Sequence, residues 1–318
     1  MGTSSTNDKI SGAEIHFAPM QGFTDMAYYS AFSKHFAGVG YYYTPFFCVD
    51  DRLERTFFAG SDLVLEKLVW QILPKDIDEM KVLTHFVLRQ GGSMLNINLG
   101  CPYPMVTRRG RGAALISNPE MVVSMIDYIR NYTPLTVSIK TRLGLSRDDE
   151  VFPLLEALAR KSCTQVIVHA RTATQLYKGN VNTERFLECR LRFPEIDFVY
   201  NGDIVDTESF LNFTNLFQGQ YKWMIGRGLL CDPFLADRIT DNSDCLSELK
   251  RKDILQNFVF DLIEGIVSTS NDTGHALNRV KNQFIYLANA FPEPKRITRL
   301  VRRSKSTDEL KTELWKKF

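Results

Sequence analysis

The stretch MLNINL (94–99), followed by an amphipathic segment and then by LTVSIK (135–140), forms one strand–helix–strand unit. The segment between the two strands begins with Asn-Pro-Glu at 118–120. These are a capping residue, a first-turn proline and an acid that suits the helix dipole. Two strands joined through a helix lie parallel in one sheet. The unit therefore predicts an α/β protein with a parallel sheet.

Further stretches of the same character lie on both sides of this unit. They are short, rich in β-branched and aromatic residues, and mostly bounded by turn residues. The predicted strands are residues 15–19, 40–47, 67–73, 94–99, 135–140, 165–169, 197–201 and 222–226. Helical patterns follow most of them, including those at 76–91, 151–161 and 206–217. Eight strands alternating with helices predict a (β/α)8 TIM barrel.

An open, doubly wound sheet is the alternative architecture. It is less favoured because no GxGxxG motif follows the first predicted strand.

The strand pattern stops near residue 240. Helical patterns then occupy residues 247–267, 275–290 and 307–317. We therefore predict a barrel domain over residues 1–240 and a small all-helical domain over 241–318. Residues 291–318 contain nine Lys/Arg and four Asp/Glu, a net charge of +5 in a chain whose total is +2. Such a basic end indicates either a polyanionic partner or a solvated helical face.

Composition narrows the class of protein. The chain has 318 residues, of which 44% are hydrophobic and 24% charged, as in ordinary globular proteins. The N-terminus is polar and no window of about 18 apolar residues occurs, so we expect neither a secretory signal nor a membrane span. None of the six cysteines has CxxC spacing, which indicates no metal site and no disulfide framework. We expect a cytoplasmic protein.

Polar or glycine-rich residues close seven of the eight predicted strands. In a TIM barrel the carboxyl ends of the strands meet at one rim, where the chemistry takes place. The residues concerned are Ala18-Pro19-Met20-Gln21-Gly22, Gln71, Asn98-Leu99-Gly100-Cys101-Pro102, Lys140-Thr141-Arg142, His169-Ala170-Arg171, Asn201-Gly202-Asp203 and Gly226-Arg227-Gly228. A purely structural barrel needs no such convergence, so the pattern predicts a functional site at this rim.

The last two of these loops favour a phosphate group. Gly202 and Gly226 allow backbone N–H groups to approach closely, and Arg227 supplies positive charge. Phosphate sites in barrels are often built from the loops after strands 7 and 8. The phosphate could belong to flavin mononucleotide (FMN) or to a sugar-phosphate substrate, and ordinary turns remain the alternative.

Lys140, Cys101 and His169 are the candidate reactive side chains. A buried lysine needs an anionic or electron-rich partner, which could be a flavin, a carboxylate or a carbonyl that forms a Schiff base. Cys101 lies just past a strand, so we expect an exposed thiol that is a nucleophile, a general acid or inert. His169 is either functional or a satisfied histidine of the core.

Several of these segments together resemble the tRNA-dihydrouridine synthases. The resemblance runs in order over about residues 15–235 and is closest to the bacterial branch that acts near D-loop position 16. The segment ALNRVKNQFIYL (276–287) also resembles the helical tRNA-binding domain of that family. The matching barrel segments are APMQGFTD (18–25), NINLGCPYPMVTRRGRGAALISNP (96–119), SIKTRLG (138–144), VHARTATQLYKG (168–179), NGDI (201–204) and MIGRGLLCDP (224–233).

The resemblance implies an FMN-dependent reduction of the C5=C6 bond of a uridine in tRNA, with NADPH as reductant. Reduced flavin would deliver a hydride to C6, and Cys101 would protonate C5. The implied FMN-binding residues are Pro19, Met20, Gln71, Lys140, His169, Asn201, Gly202, Asp203, Gly226 and Arg227. The implied substrate-binding residues are Asn98, Arg142, Tyr177, Arg108, Arg109 and Arg111, although the last three could equally belong to a solvated loop. We expect a monomer with tRNA as its partner.

The chain also departs from the pattern of that family, at Gln21, Pro45, Pro74, Asn96 and Met105. These departures leave open which uridine is chosen. Two other functions also remain open. A small-molecule FMN barrel of the dihydroorotate or dihydropyrimidine dehydrogenase type would leave the basic helical end unexplained. A catalytically silent RNA-binding barrel would be the second.

Overall fold

A computed structural model describes residues 12–50, 53, 65–161, 165–241 and 246–316. Eight parallel strands form a closed barrel in chain order, with β8 paired to β1. The strands are β1 (Glu14–Phe17), β2 (Tyr41–Tyr43), β3 (Leu68–Ile72), β4 (Met94–Leu99), β5 (Thr136–Gly144), β6 (Gln165–Thr172), β7 (Asp197–Asn201) and β8 (Lys222–Ile225). The predicted TIM barrel is confirmed, and the pairing of β8 with β1 excludes the open sheet.

Three strands differ in length from the prediction by three residues or more, while the other strands agree to within two. β2 ends at Tyr43. Beyond it, Thr44 donates its N–H to the Val69 carbonyl of β3, Pro45 has no N–H to donate, and Phe47 forms an isolated bridge to Ile72. β5 and β6 instead continue past the predicted ends to Gly144 and Thr172. Their polar residues hid the continuation, although Arg142 pairs with His169 in the ladder. Lys140 therefore lies within a strand, not at its end.

Helices cover the outside of the barrel. They are α1 (Met26–His35), α2 (Ile77–Arg89), α3 (Pro104–Thr107), α4 (Pro119–Tyr132), α5 (Phe152–Ala159), α6 (Thr183–Arg192) and α7 (Thr207–Leu216). Asp76 and Glu79 have the spacing of a capping box at the start of α2, but the box is only half formed. The Asp76 carboxylate accepts from the N–H groups of Asp78 and Glu79, but Glu79 turns instead to the Lys75 N–H and to Arg111.

More helices complete the chain. They are α8 (Arg227–Cys231), α9 (Leu235–Asp241), α10 (Glu248–Ser268), α11 (Thr273–Leu287), α12 (Pro294–Arg303) and α13 (Thr307–Trp315). The prediction found α10, α11 and α13 but missed α12. The predicted boundary at residue 240 falls at the end of α9, and the division into two domains stays a prediction. None of the described helices is both long enough and apolar enough to cross a bilayer.

The C-terminal helices pack directly on the barrel. The ring of Phe258 on α10 lies 5.7 Å from Tyr28 and 5.2 Å from Phe36, both at the first barrel helix. Gly265 also faces Ala27 so closely that a Cβ on Gly265 would lie 3.4 Å from the Ala27 Cβ. One continuous apolar cluster contains the buried residues of both parts. This contact fixes the C-terminal helices beside the loop that follows β1.

Candidate active site at the carboxyl ends of the strands

A cleft opens at the rim formed by the carboxyl ends of the strands. Its volume is about 600 Å³ when the open mouth is included. It brings together eleven of the residues that the sequence analysis selected. They are Pro19, Met20, Lys140, Arg142, His169, Tyr177, Asn201, Gly202, Asp203, Gly226 and Arg227. Loops far apart in sequence thus meet at one place.

Lys140 is the most unusual charged group in the cleft. Its ammonium makes no hydrogen bond or ion pair with any residue in the described part of the chain. Burial, and next the charge of Arg142, lower the pKa of Lys140 to about 7, while Cys101 opposes the shift. By its exposed area Lys140 is half-buried, and its amine lies deep enough for the lack of an acceptor to be costly, so this position favours an anionic or electron-rich ligand.

His169 is a neutral donor at the same rim. Burial, followed by the charges of the surrounding Lys and Arg side chains, holds its pKa well below the usual value. Arg171 Nη1 lies 3.3 Å from His169 Nε2. Because a guanidinium only donates, Nε2 must accept, and the ring proton therefore resides on Nδ1. The Nδ1–H is left available for an acceptor.

Asp203 orients two arginines. Its carboxylate accepts a bidentate pair from Arg171, at 2.9 and 2.5 Å, and a further bond from Arg227 at 3.1 Å. Arg171 also donates to the carbonyl of Gly179 at 2.6 Å. Asp203 was expected to bind the cofactor itself, whereas its carboxylate is engaged by the arginines. We call Lys140, Arg142, Arg171, Arg227 and Asp203 the rim cluster. It contains four basic groups and one acid.

Gly202 is required by the backbone at this corner. It has a φ of 151°, and a Cβ there would lie 2.6 Å from Val181 Cγ1. A side chain would be both strained and obstructed. Asn201, the residue before it, donates through Nδ2 to the Met224 carbonyl at 2.8 Å and so ties the end of β7 to β8. The two loops expected to hold a phosphate are therefore fixed to each other.

Arg142 holds the walls of the cleft together. Its Nε donates to the Gly100 carbonyl at 3.0 Å. Its Nη1 donates to the carbonyls of Thr172 and Leu176, both at 2.8 Å. The guanidinium also lies 5.7 Å from the centre of the Tyr177 ring. A substrate role was expected for Arg142, and three of its hydrogen bonds are spent on the backbone.

Asn98 builds the loop that carries Cys101. Its Oδ1 accepts from the N–H groups of Gly100 and Cys101, both at 2.9 Å. The thiol is buried, with 7% of the residue exposed, so the expectation of an exposed thiol was wrong. Burial raises the pKa of Cys101, while Arg142 and Lys140 oppose the shift. The sulfur is therefore protonated near neutral pH, which suits a proton donor better than a nucleophile.

A family model described as dihydrouridine synthase (Dus) matches residues 16–314. This chain belongs to the dihydrouridine synthase family. A tRNA-dihydrouridine(16) synthase of Pseudomonas syringae pv. tomato is 29% identical over 243 residues, covering 71% of this chain and 74% of the relative. A probable tRNA-dihydrouridine synthase 2 of Bacillus subtilis is 28% identical over 235 residues, covering 70% of each chain.

Among solved structures, morphinone reductase aligns with a TM-score of 0.47 and 12% identity, over 71% of this chain and 85% of that one. That likeness is too distant to bear on function.

A row of hydrogen-bonded side-chain amides lies beneath the rim. Asn98 Nδ2 donates to Gln71 Oε1, and Gln71 Nε2 donates to Asn96 Oδ1, both at 2.8 Å. Asn96 Nδ2 then donates to Ser138 Oγ at 2.8 Å, and that hydroxyl donates to the Leu95 carbonyl. Because Asn98 Oδ1 must accept from two N–H groups, the orientation of every amide in the row follows. Gln71 thus has a remaining N–H to donate, while its carbonyl is already engaged by Asn98.

The three arginines that follow the loop carrying Cys101 are in different surroundings. Arg108 and Arg109 are exposed at the end of α3 and are available to a large ligand. Arg111 is instead buried against Glu79, to which it makes bonds of 3.1 and 2.5 Å. The expectation that Arg111 reaches an RNA phosphate does not match this placement. Its side chain ties the segment after Cys101 to α2.

Sequence reasoning missed two kinds of residue at this site. Arg171 was noticed at the end of β6 but was not selected, although it contacts His169 and Asp203 directly. Asn96 was noted only as a departure from the family pattern, and Ser138 was not considered. Alternation along β4 and β5 could have found both, because Asn96 and Asn98, or Ser138 and Lys140, share one face of their strand.

The residues present fit a flavin phosphate. The unpartnered Lys140 ammonium, the His169 Nδ1–H and the free Gln71 N–H are all donors, and they suit the carbonyl-rich edge of an isoalloxazine ring. Gly202 and Arg227 border the corner where a phosphate would lie. The rim cluster carries excess positive charge, as an anionic cofactor requires. None of these contacts requires a metal ion.

Proposed function

We propose that this protein is an FMN-dependent tRNA-dihydrouridine synthase that uses NADPH and acts as a monomer in the cytoplasm. The observation that carries the proposal is the juxtaposition of a protonated, loop-held thiol with an unpartnered buried lysine. Gly100, next to the thiol, is bonded to Arg142, two residues beyond Lys140 on β5. A proton donor and a site for an electron-rich ring therefore lie close together, near enough for Cys101 and Lys140 to shift the pKa of each other.

The residues then have separable roles. When bound, reduced FMN would supply the hydride for uracil C6. Lys140 and the His169 Nδ1–H would hold the ring and favour its anionic form, while Arg227 and Gly202 would bind the phosphate together with Asn201 and Gly226. Pro19, Met20 and Gln71 complete the cofactor-binding set, and Asp203 orients Arg227.

On the substrate side, Cys101 gives its Sγ proton to uracil C5. Asn98 keeps that thiol in place through the Gly100 and Cys101 N–H groups. Its second Nδ2 hydrogen remains for the base. Tyr177 lies between Arg142 and Arg227 at the mouth, with ring-to-guanidinium distances of 5.7 and 5.0 Å. It offers a stacking surface to a base that has been flipped out of its RNA.

The RNA-binding surface that we propose is α12 with the exposed arginines of the catalytic loop. Five of the ten residues of α12 are basic and none is acidic, while Ile297 and Val301 on its other side are buried. This charge explains the basic end of the chain and favours tRNA over a free pyrimidine. Following the names of the relatives, we propose uridine 16 of the D-loop as the target.

A purified preparation tests the proposal. It should be yellow, release FMN on heating, and form dihydrouridine in tRNA with NADPH, as measured by mass spectrometry of nucleosides. Mapping dihydrouridine in a strain that lacks the gene then identifies the position. A colourless protein that cannot be reconstituted with FMN would contradict the cofactor assignment. Turnover of free uracil or dihydroorotate would favour the small-molecule alternative.

The RNA surface has a separate test. Replacing both Arg299 and Arg303 by Glu reverses their charge. This change should weaken tRNA binding by roughly ten- to a hundredfold at moderate salt and make the salt dependence of binding less steep. Arg89→Glu, on the exposed side of α2, is the matched control and should change little. Equal effects at both places would remove α12 from the interface.

A further inference from the structure

The helix α11 contacts the loop that follows β1 through a row of polar side chains. Asn282 Nδ2 donates to the Gly22 carbonyl and Gln283 Nε2 to the Phe23 carbonyl, both at 2.8 Å. Arg279 donates to the Asp25 carboxylate, also at 2.8 Å. These three positions on α11 share one helix face. A single face of a C-terminal helix therefore binds a barrel loop along its length.

This contact is well buried for one of these side chains. Gln283 is 3% exposed. Tyr286, three residues further along the same face, packs on Phe23 with the two ring centroids 4.9 Å apart. A buried amide that spends its N–H on a loop carbonyl fixes that carbonyl in position, since an unpaired carbonyl there would be costly. The loop conformation is thus specified by α11.

The bound loop is closed on itself and leads into the cleft. The Met20 N–H donates to Thr24 Oγ1 at 2.8 Å, and the Met20 carbonyl accepts from the N–H groups of Phe23 and Thr24. Because of this closure, displacing Phe23 also displaces Met20. The Met20 side chain lines the cleft and approaches Gly226, where a Cβ would lie 3.4 Å from its sulfur. Met20 is therefore the part of this loop that reaches the phosphate corner.

We infer that Asn282 and Gln283 are positioning residues for the FMN site, acting through the Gly22–Phe23 carbonyls on Met20. The inference rests on the proposed function and adds that the C-terminal helices support the cofactor site from outside as well as forming an RNA-docking surface. Removing either side-chain N–H frees the loop, and Met20 then no longer holds one wall of the phosphate corner. FMN retention should decrease even in the absence of tRNA.

The test compares two asparagines on the same helix. Asn282→Asp replaces the donor with a carboxylate that faces the Gly22 carbonyl, and Asn278→Asp adds the same charge one turn earlier. Asn278 is exposed, and its side chain has no hydrogen-bond partner among the described residues. FMN affinity is measured by flavin fluorescence on reconstituted apoprotein, with the visible flavin spectrum and the unfolding temperature recorded for each variant.

We expect Asn282→Asp to weaken FMN binding roughly five- to twentyfold and to change the bound-flavin spectrum, with the unfolding temperature within about 3 °C of the parent. Asn278→Asp should leave all three unchanged, and Asn282→Gln should restore part of the affinity. Gln283→Met is the stronger variant, since it keeps the shape and removes the donor.

Equal FMN affinity and spectrum in the parent, Asn282→Asp and Gln283→Met would overturn the inference, even if the variants unfold at lower temperature. In that case the row on α11 is only structural. A parent protein that fails to bind FMN would instead overturn the proposed function. The two failures are therefore distinguishable.

Discussion

The two ends of the barrel differ in whether their ionisable groups have hydrogen-bond or ion-pair partners. At the carboxyl end, the rim cluster sets four basic groups against one acid and leaves Lys140 without a partner. The amino end carries what we call the base network, in which every member is bonded to another. It consists of Glu14, His16, Tyr43, Gln165, Asp197 and Lys222. One end is incomplete without a ligand, whereas the other is satisfied by the chain alone.

The base network shows what a structural arrangement of such groups looks like. His16 bonds Glu14 at 2.8 Å through Nε2 and the Tyr43 hydroxyl at 2.9 Å through Nδ1. Lys222 pairs with Asp197, which also accepts from Gln165 at 3.0 Å. Both ends have charged groups that are at least partly buried, so burial alone does not mark a site. The carboxyl end is distinguished by Lys140, a charged group without a partner among the described residues.

The largest expected effect concerns Cys101. Cys101→Ala should lower dihydrouridine formation by about 10²–10⁴-fold, because a proton donor is lost, while FMN and tRNA binding stay near the parent values. Turnover and both affinities are measured on the same preparations. Cys48→Ala, a change at a partly exposed cysteine, serves as the control. Parent-level turnover in Cys101→Ala would refute the acid role.

The second test replaces one lysine at each end of the barrel, and the stability of the apoprotein should change in opposite directions. Lys140→Met should stabilise the apoprotein at pH 7 by about 2–4 kcal/mol, because an unpaired buried amine is removed. Lys222→Met should destabilise it by roughly 1–3 kcal/mol, because Asp197 loses its partner. Urea unfolding of the two apoproteins measures both, and flavin titration should show weakened FMN binding only for Lys140→Met.

The pH dependence sharpens the same comparison. The pKa of Lys140 is about 7 in the folded chain and near 10.4 when unfolded, so between these values the unfolded chain binds more protons. Stability of the apoprotein should therefore rise with pH in this window, and Lys140→Met should remove that contribution. If the stability of Lys140→Met varied with pH in parallel with that of the parent, the Lys140 amine would not be held in its uncharged form in the folded chain.

Asn98 should show a smaller effect that is confined to the rim. Asn98→Ala removes the acceptor of two loop N–H groups, so we expect kcat to fall about 10- to 100-fold as the thiol loses its position. FMN affinity should change little. Gln165→Ala, which removes an amide from the base network, should lower stability without altering kcat. A kcat loss of similar size in both variants would argue against a specific role of the loop.

The smallest effect is expected from the two buried histidines at mildly acid pH. Burial lowers the pKa of both His16 and His169. The unfolded chain therefore takes up protons first, and stability falls as the pH drops below about 6.5, by roughly 1–2 kcal/mol per histidine at pH 5. Replacing either residue by Gln should reduce this sensitivity. Only the change at His169 should also weaken FMN binding, and equal effects on FMN would contradict the division between the ends.

The barrel and most of its rim were predictable because they depend on local patterns. Short apolar runs punctuated by glycine and polar residues mark strands, and chain order fixes that their carboxyl ends meet at one rim. Cys101, Lys140 and His169 were found in this way. The helix α12 was missed because its dense positive charge leaves only Ile297 and Val301 as an apolar face. The extension of β5 was missed because Arg142 looks like a loop residue.

The sequence by itself determined the order of strands and helices, the basic end and which polar side chains follow the strands, since each depends on residues that are close along the chain. Only the tertiary structure decided how those side chains are used. Partner choice depends on distances between segments that are remote in sequence. Thus Glu79 engages Arg111, Asp203 engages Arg171, and Lys140 remains unpaired because no acid lies within reach of it in the described barrel.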